Sequence, residues 1–368
     1  MTDLSIVIVN WNVCDLVRQC LQSVFDTRRT TLVEVIVVDN ASTDDSVDMV
    51  RTEFPRAHLI ANADNRGFPA ANNQGIAVAH GRYVLLLNPD TQVLGDALAT
   101  MVAFADANPG VGVVGPQLLN PDGSVQSSRR RFPTLASAFF ESTWLQSHAP
   151  RRMLQRYYVL DRPDDAVQDV DWVTGAALMA RREAIQQVGL MDEGFFMYSE
   201  ELDWCRRFRE AGWRVVYLPT ARIIHHVGKS SEQVLPARHI HFQTSKVRYF
   251  RKHHGAASAG ALRVFLIGNY LWQLGLEGAK WLVGHKRPLR AQRISAYRQV
   301  LRSGLRPRNS TPPRGGEIRR FTPSDAPETG AKSGRLDPRD SSPHNSSPPR
   351  SGGFRDRQPR KRTEQEDG

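Results

Sequence analysis

The chain contains the run Val35-Ile36-Val37-Val38-Asp39-Asn40-Ala41-Ser42-Thr43-Asp44, in which four aliphatic residues are followed at once by polar ones. A second run, Val84-Leu85-Leu86-Leu87, is equally apolar and is followed by Asn88-Pro89-Asp90-Thr91. Uninterrupted aliphatic runs of this kind are typical of parallel strands that helices cover on both faces. Because ligands bind at the carboxyl ends of such strands, the polar residues predict a binding edge.

Similar apolar runs recur through the first 115 residues, with helical stretches between them. Strands are predicted at residues 4–9, 33–38, 58–60, 83–87 and 111–114, and helices at 16–25 and 44–53. A second block has predicted strands at 172–179, 214–218 and 221–224 and a helix at 199–211. This βαβ pattern predicts one α/β domain over residues 1–237, with a mostly parallel sheet and helices on both faces.

The loops after these runs carry no phosphate-binding glycine pattern. Asn10-Trp11-Asn12 follows the first predicted strand without a glycine, and no GxxxxGK[ST] sequence occurs in the chain. An ordinary dinucleotide-dependent enzyme or a P-loop NTPase is therefore excluded. Asn, Asp and Ser at strand ends also cap helices and form turns, which is the plain alternative for each single site. The recurrence of such residues on one sheet edge favours binding.

The basic residues are concentrated in one segment. The chain has 368 residues and a formal net charge of +11. Residues 1–237 carry 22 Lys and Arg against 28 Asp and Glu, whereas residues 238–306 carry 14 against 1. An acidic body argues against nucleic acid as a partner, and the basic segment predicts an anionic surface instead.

Residues 238–305 are predicted to form basic amphipathic helices. Between residues 262 and 283, polar positions recur every three or four residues, opposite an apolar face that includes Phe265, Leu266, Leu271, Trp272 and Leu282; the polar positions are Asn269, Gln273, Glu277 and Lys280. The longest apolar run there is residues 264–267, far short of the roughly 20 residues of a membrane span. The pattern predicts a helix that lies in the plane of an anionic membrane. Packing on the catalytic domain, or a homo-oligomer interface, is the alternative.

The remaining features concern the compartment and the end of the chain. No secretory signal pattern is visible, and the three cysteines, Cys14, Cys20 and Cys205, show no CxxC spacing. We therefore expect a cytoplasmic protein, peripheral on the inner face of the cell membrane. Residues 306–368 are rich in Pro, Ser and Arg, and we expect them to form a disordered tail.

Five motifs resemble, in their order along the chain, the signature of family-2 glycosyltransferases with the GT-A fold, and within that family the bacterial rhamnosyltransferase branch. The resemblance covers about residues 3–235. The motifs are Val7-Ile8-Val9-Asn10-Trp11-Asn12, Val37-Val38-Asp39-Asn40-Ala41-Ser42-Thr43-Asp44, Asn65-Arg66-Gly67-Phe68, Leu87-Asn88-Pro89-Asp90 and Ser199-Glu200-Glu201-Leu202-Asp203-Trp204. The resemblance implies binding of a nucleotide-diphosphate sugar as donor.

The same resemblance implies which residues hold that donor. Asp39 is similar to the family's aspartate that accepts a hydrogen bond from the pyrimidine base, and Asn10 and Asn12 lie on the adjacent loop. Asn65 and Gly67 belong to the third motif, in which the glycine allows close backbone approach to a ligand.

A divalent cation, Mn²⁺ or Mg²⁺, is implied as a cofactor. Asn88-Pro89-Asp90 occupies the position of the family's DxD-type motif but has asparagine in place of the first carboxylate, so Asp90 is its charged ligand. His225 is similar to the family's late metal-binding histidine, and imidazole is an acceptable ligand for Mn²⁺.

The acidic motif provides the implied catalytic residues. Glu201 corresponds to the catalytic base, as a glutamate where aspartate is commoner, and Asp203 is its expected support. Carboxylates are also favoured at a helix N-terminus whatever the function. Trp172 and Gly175 are expected on the acceptor side of the site.

The sequence thus predicts an inverting glycosyltransferase. The expected donor is dTDP-L-rhamnose, with UDP-linked sugars as the second choice, and the expected acceptor is a cell-surface polysaccharide or a lipid-linked sugar. Three other classes stay open at this point: a sugar nucleotidyltransferase, a nucleic-acid-binding protein and a catalytically silent sugar-binding homologue. A nucleotidyltransferase would need a glycine-rich basic loop after the first strand, which residues 10–15 do not provide.

Overall fold

The computed structural model describes residues 2–27, 31–141, 143–226, 235–284 and 286–307, which belong to one compact unit. The predicted tail lies outside the described residues from residue 308 onward. The strands are β1 Leu4–Asn10, β2 Val33–Asp39, β3 His58–Ala61, β4 Tyr83–Leu87, β5 Thr91–Val93, β6 Val111–Leu119, β7 Val125–Gln126, β8 Arg129–Arg130, β9 Gln168–Val170, β10 Trp172–Val173, β11 Ala177–Arg181 and β12 Arg214–His225. The helices are α1 Cys14–Phe25, α2 Ser46–Glu53, α3 Phe68–Val78, α4 Ala97–Ala107, α5 Leu135–Phe140, α6 Arg151–Tyr157, α7 Arg182–Val188, α8 Glu200–Glu210, α9 Leu235–Leu282 and α10 Arg287–Ser303, with a 3₁₀ helix at Trp144–His148.

The main sheet has the order β3-β2-β1-β4-β11-β6-β12-β5. Strands β3, β2, β1 and β4 are parallel neighbours, as are β6 and β12, whereas β11 runs antiparallel between β4 and β6. The longest ladders are therefore the parallel ones, and the carboxyl ends of β1, β2 and β4 meet at one edge. The predicted α/β architecture is confirmed.

The buried runs form strands because each side chain finds an apolar layer above or below the sheet. In β1, Ile6 and Ile8 pack in the cluster that contains α1, while Val7 and Val9 pack in the cluster that contains α3. Alternate side chains of a strand point to opposite faces, so both faces of β1 are covered by helices.

Three of the predicted strands are divided or joined differently in the structure. The predicted strand at residues 172–179 is wrong as one element, since it divides into β10 and β11 around Thr174-Gly175-Ala176. Conversely, the predicted strands at 214–218 and 221–224 are one strand, β12, whose register against β6 shifts between Leu218 and Arg222. Pro219 lies in that interval and has no N–H to donate, which explains the irregularity.

Helix α9 packs on the sheet domain through its first half. Val247, Tyr249 and Phe250 share a buried cluster with Phe195 and with Leu202 of α8. The helix then kinks at Gly255, whose φ of +87° favours glycine, and its second half packs against α10. The basic segment therefore packs against the α/β domain.

In the second half of α9, two residues of the predicted polar face are buried. They are Asn269 and Glu277, and Glu277 pairs with Arg290 of α10 at 2.7 Å. Of the predicted apolar face, Trp272 and Leu282 are 62% and 71% exposed, whereas Leu266 is buried. The polar residues are buried because an ion pair joins α9 to α10. No helix in the described part of the chain is long and apolar enough to cross a membrane.

Ion pairs fasten the first half of α9 to α8. The buried carboxylate of Asp203 pairs with Lys252 at 2.8 Å, with His253 Nε2 at 2.7 Å and with Arg207 at 2.9 Å. Burial alone would raise the pKa of Asp203, but the hydrogen bond from His253 and the positive charges of Arg207 and Lys252 outweigh it and lower the pKa to about 2. Lys252 also pairs with Asp192 at 2.9 Å.

We expect Asp203→Asn to destabilise the protein by about 3 kcal/mol at pH 7, because it leaves buried cations without their carboxylate. The pKa is lowered from its usual 3.8, so the stabilisation is present above pH 4 and is lost as the pH falls toward 2. Urea unfolding at several pH values measures both effects. Asp48→Asn is the matched control, since Asp48 forms an exposed pair with Arg51 and should change stability by less than about 0.5 kcal/mol. Equal effects of the two substitutions would contradict the assigned role of Asp203.

Candidate active site

A cleft of about 270 Å³ lies at the carboxyl edge of the sheet. Four of the predicted donor-side residues line it, together with the implied base and one acceptor-side residue. These residues are Asn65, Gly67, Asn88, Asp90, Glu201 and Gly175, and His225 joins them. The tertiary structure therefore brings together motifs that are separated by more than 100 positions in the chain.

The turn that contains Gly67 is docked onto the loop before α8. Gly67 has a φ of +88°, and a Cβ atom there would lie 2.7 Å from the carbonyl oxygen of Phe196. The N–H of Phe68 donates to that same carbonyl at 2.8 Å. Gly67 is therefore required for close packing of two chain segments, and the side chain of Asn65 is held by Asn40 Nδ2 at 2.9 Å.

The other three predicted donor residues, Asn10, Asn12 and Asp39, do not line this cleft. Asn10 Nδ2 donates to Asp39 Oδ1 at 2.9 Å, and the N–H of Ser42 donates to Asp39 Oδ2 at 2.9 Å. Asn12 Oδ1 accepts a hydrogen bond from the N–H of Thr43 at 2.7 Å. These contacts fix the loops after β1 and β2, and direct contact of the three residues with a donor stays a prediction.

Trp11 and Asn40 line the cleft in their place. Both belong to motifs that the sequence analysis quoted, but neither was selected as a binding residue. Their position in the sequence could have identified them, because each residue follows a buried strand at the sheet edge where ligands bind.

Asp90 and His225 form the pair suited to a cation. His225 Nε2 lies 3.3 Å from Asp90 Oδ1 and 3.5 Å from Asn88 Nδ2. His225 comes from the end of β12, which pairs with Thr91 of β5 and so brings the two residues together. An imidazole nitrogen and a carboxylate oxygen are both acceptable ligands for Mn²⁺.

Gln126 orients the ring of His225. Gln126 Nε2 donates to Asn120 Oδ1 at 2.9 Å and to the backbone oxygen of His225 at 3.2 Å. Its Oε1 therefore faces His225 Nδ1, at 2.7 Å, and accepts a hydrogen bond from the Nδ1–H. In the neutral imidazole this leaves the lone pair of Nε2 toward Asp90, as in metal sites where a hydrogen bond orients the ligating histidine.

The residues fit a cation that shares its ligands with a substrate. Among the residues that the structure describes, no three Asp, Glu, His or Cys side chains come together as a metal-binding group. Asp90 and His225 would hold the ion from one side, with Asn88 beside them, and the remaining positions suit oxygens of a bound diphosphate or water. Asn88 lines the cleft beside Asp90 as an uncharged side chain, at the position where the DxD-type motif has its first carboxylate.

The acidic motif is held by a strained turn at the start of α8. Tyr198 and Ser199 have φ values of +71° and +66°, a left-handed conformation that is uncommon for residues other than glycine. The turn places Glu200 and Glu201 against the cleft. Backbone strain of this kind is often found at functional sites.

Glu201 has the properties of a base. Burial raises its pKa, and backbone N–H groups, including that of Gly175, partly offset the effect. Its Oε2 is buried and has no hydrogen-bond partner among the described residues. Burial and the nearby charge of Glu201 raise the pKa of Glu200 as well. An unpaired acceptor with a raised pKa, facing a cleft, is suited to receive a proton.

The predicted acceptor-side residues both lie near Glu201. Gly175 packs directly against it, since a Cβ on Gly175 would be 3.5 Å from Glu201 Cβ. Trp172 and Glu201 line a smaller cavity of about 80 Å³. The ring of Trp172 donates through Nε1 to the Arg131 carbonyl at 3.0 Å, which fixes its orientation.

Asp203 does not line the cleft and is placed by its ion pairs in the interface between α8 and α9. Its carboxylate is paired with Arg207, Lys252 and His253, and its expected support of catalysis stays a prediction. Arg238, on the first turn of α9, does line the cleft. Sequence reasoning assigned it only to the basic segment, and no local motif marks it.

Comparisons with known proteins show which family the chain is similar to. The family model described as "Glycosyl transferase family 2" matches residues 5–188. The N-acetylglucosaminyl-diphospho-decaprenol L-rhamnosyltransferase of Mycobacterium tuberculosis is 31% identical over 236 residues, which are 61% of this chain and 76% of that protein.

Two further matches are informative. Rhamnosyltransferase WbbL of Escherichia coli K12 is 30% identical over 165 residues, which are 42% of this chain and 60% of that protein. The crystal structure of GalNAc-T7 with UDP, GalNAc and Mn²⁺ superposes with a TM-score of 0.51 and 15% identity, and covers 68% of this chain and 48% of that one. The structural likeness concerns the fold.

Proposed function

The chain belongs to glycosyl transferase family 2, and from this membership we propose that it transfers L-rhamnose from dTDP-L-rhamnose, with inversion, to a lipid-linked sugar. It is a glycosyltransferase with the GT-A fold that its motifs predicted, and not a sugar nucleotidyltransferase. The observation that carries the proposed reaction is the placement of Glu201 in the same cleft as Asp90 and His225. The names of the two relatives support rhamnose as the sugar.

The proposed reaction is a single displacement. Glu201 accepts the proton of the acceptor hydroxyl as that oxygen forms a bond to the anomeric carbon of the donor sugar. The bond between the anomeric carbon and the diphosphate oxygen breaks, and its electron pair leaves with the nucleotide diphosphate. One nucleophile attacking from the face opposite the leaving group inverts the anomeric centre, so no covalent sugar intermediate is required.

The leaving group would be held by residues from three elements. A divalent cation bound there would supply positive charge for the developing diphosphate. Asp90 and His225 would bind the cation. Gln126 would keep the His225 lone pair available, and Asn88 would contribute an uncharged amide.

The donor part of the cleft is lined by Asn65, Gly67, Asn40 and Trp11. We propose that Asn10, Asn12 and Asp39 act there by holding the loops that recognise the base.

We expect Glu201→Gln to lower kcat by about 10²- to 10⁴-fold with little change in donor affinity, because the amide cannot accept the proton. Release of nucleotide diphosphate, with binding of dTDP measured separately, tests this. In the wild type, activity should rise with pH through the raised pKa of Glu201, since the base must be ionised. Glu210→Gln, on the exposed end of the same helix, is the control. Near-normal turnover of the Glu201 variant would remove it from the role of base.

We expect Asp90→Asn to weaken donor binding and to abolish dependence on Mn²⁺ or Mg²⁺. Gln126→Leu should produce a milder loss of metal affinity, on the order of 10- to 100-fold, because it frees the orientation of His225. Titration of Mn²⁺ by calorimetry in the presence of dTDP measures both. Turnover that a chelator leaves unchanged would contradict the proposed cofactor.

Membrane association is proposed for the helical segment at residues 238–305, with residues 1–237 as the catalytic domain. Apolar side chains of α9 and of the residue after it are exposed: Val264, Leu271, Trp272, Leu282 and Val283. The segment also has a strong excess of basic residues. An exposed apolar surface beside basic residues suits the interface of an anionic membrane, on whose cytoplasmic side a nucleotide sugar would be used.

We expect the full chain to float with anionic vesicles at low salt. The triple variant Leu271→Ser/Leu282→Ser/Val283→Ser should bind these vesicles at least about tenfold more weakly, because burial of each apolar side chain in lipid contributes to the binding free energy. The control is Leu32→Ser, which removes a 61% exposed apolar side chain from the sheet domain. Salt should weaken binding, because each basic residue near an anionic leaflet contributes about 1 kcal/mol. Binding that ignores both salt and the triple substitution would contradict the proposal.

A further inference from the structure

A second cavity, of about 660 Å³, lies beside the cleft and is not used by the proposed reaction. It is enclosed by the first half of α9, the part of α9 beyond the Gly255 kink and the 3₁₀ helix. Arg238 lines both this cavity and the cleft. A molecule in the second cavity would therefore pass Arg238 to reach Glu201.

The part of the cavity near Arg238 is polar, and Glu277 lines the cavity together with that arginine. Gln243 lines it and is 2% exposed, and its Oε1 has no hydrogen-bond partner among the described residues. Glu277, the only acidic residue between positions 238 and 306, is paired with Arg290 at 2.7 Å and with Arg293 at 3.5 Å, and neither arginine lines the cavity. The charge of Glu277 is therefore compensated from outside the cavity lining, and its segment has no other acid to pair with Arg238. This end suits an anionic group at Arg238.

The outer part is aromatic and open. Trp144 and Trp272 have ring centroids 6.4 Å apart and are 48% and 62% exposed, and Leu276 beside them is 42% exposed. All three line the cavity. Apolar side chains with this exposure at a cavity mouth suit an apolar chain that enters from the membrane side.

We propose that this cavity binds the lipid diphosphate of the acceptor, with the diphosphate at Arg238 and the first part of the hydrocarbon chain between Trp144, Trp272 and Leu276. The proposal rests on the proposed function, since it requires an acceptor that carries a sugar, a diphosphate and a lipid in that order. The sugar then lies at Glu201, in the cleft that shares Arg238. The residues that select a lipid-linked acceptor are therefore on α9 and the 3₁₀ helix, and not on the strands of the sheet.

Two acceptors that differ only in their chain test the proposal: N-acetylglucosaminyl diphosphate esterified to a long polyprenyl chain or to a methyl group. In detergent solution without a bilayer, the wild type should show a KM about tenfold or more lower for the long-chain acceptor. Trp272→Ser/Leu276→Ser should lose this preference. Trp281→Ser, an exposed tryptophan on the same helix outside the cavity, should keep it.

Equal KM values of the wild type for the two acceptors would overturn the proposal while leaving the proposed function in place. The proposal would also be overturned if Trp281→Ser lost the preference for the long-chain acceptor to the same degree as Trp272→Ser/Leu276→Ser. The preference would then depend on the apolar surface of the helix in general and not on the cavity. If neither acceptor receives sugar, the proposed function fails, and calorimetry with geranylgeranyl diphosphate decides the inference alone. Binding at least about tenfold tighter than inorganic pyrophosphate, weakened in Trp272→Ser/Leu276→Ser and in Arg238→Gln, supports it, and equal binding of the two probes overturns it.

Discussion

Three carboxylates in the first turn of one helix, α8, impose the constraint on which much of this structure depends. Burying a carboxylate is unfavourable unless cations or hydrogen bonds compensate it. Asp203 obtains that compensation from Lys252 and His253 of α9, and its pKa falls to about 2. Glu201 obtains much less, and burial raises its pKa. The first turn of α8 thus contains Asp203, whose carboxylate is paired with cationic side chains, and Glu201, a candidate base whose carboxylate has fewer partners.

The compensation of Asp203 also places the rest of the active site. Because Lys252 and His253 must reach α8, the first half of α9 lies across it and packs on Phe195 and Leu202. The start of α9 then brings Arg238 to the cleft that Glu201 lines. An ion-pair cluster outside the cleft therefore helps to place Arg238 where it lines both the cleft and the neighbouring cavity.

The cation side of the cleft depends on a hydrogen-bond relay. Asn88 removes a charge that the family's motif usually provides, so the position and tautomer of His225 carry more weight. Gln126, itself oriented by Asn120, favours the tautomer with a proton on Nδ1 by accepting a hydrogen bond from it. This arrangement is suited to a site in which the substrate's own diphosphate supplies the remaining ligands.

The sequence by itself determined the strands of the parallel core, the motifs at their ends and the family, because buried aliphatic runs and polar strand ends are local patterns. It also predicted roles for Glu201, Asp90 and His225 from spacing and resemblance, and these residues line one cleft. Only the tertiary structure decided that Asp203 serves an interface, that Trp11, Asn40 and Arg238 line the cleft, and that α9 turns Glu277 inward and Trp272 outward. These outcomes depend on which distant cation reaches which carboxylate, and residues such as Asp203 and Lys252, 49 positions apart, show no local pattern that could reveal their pairing.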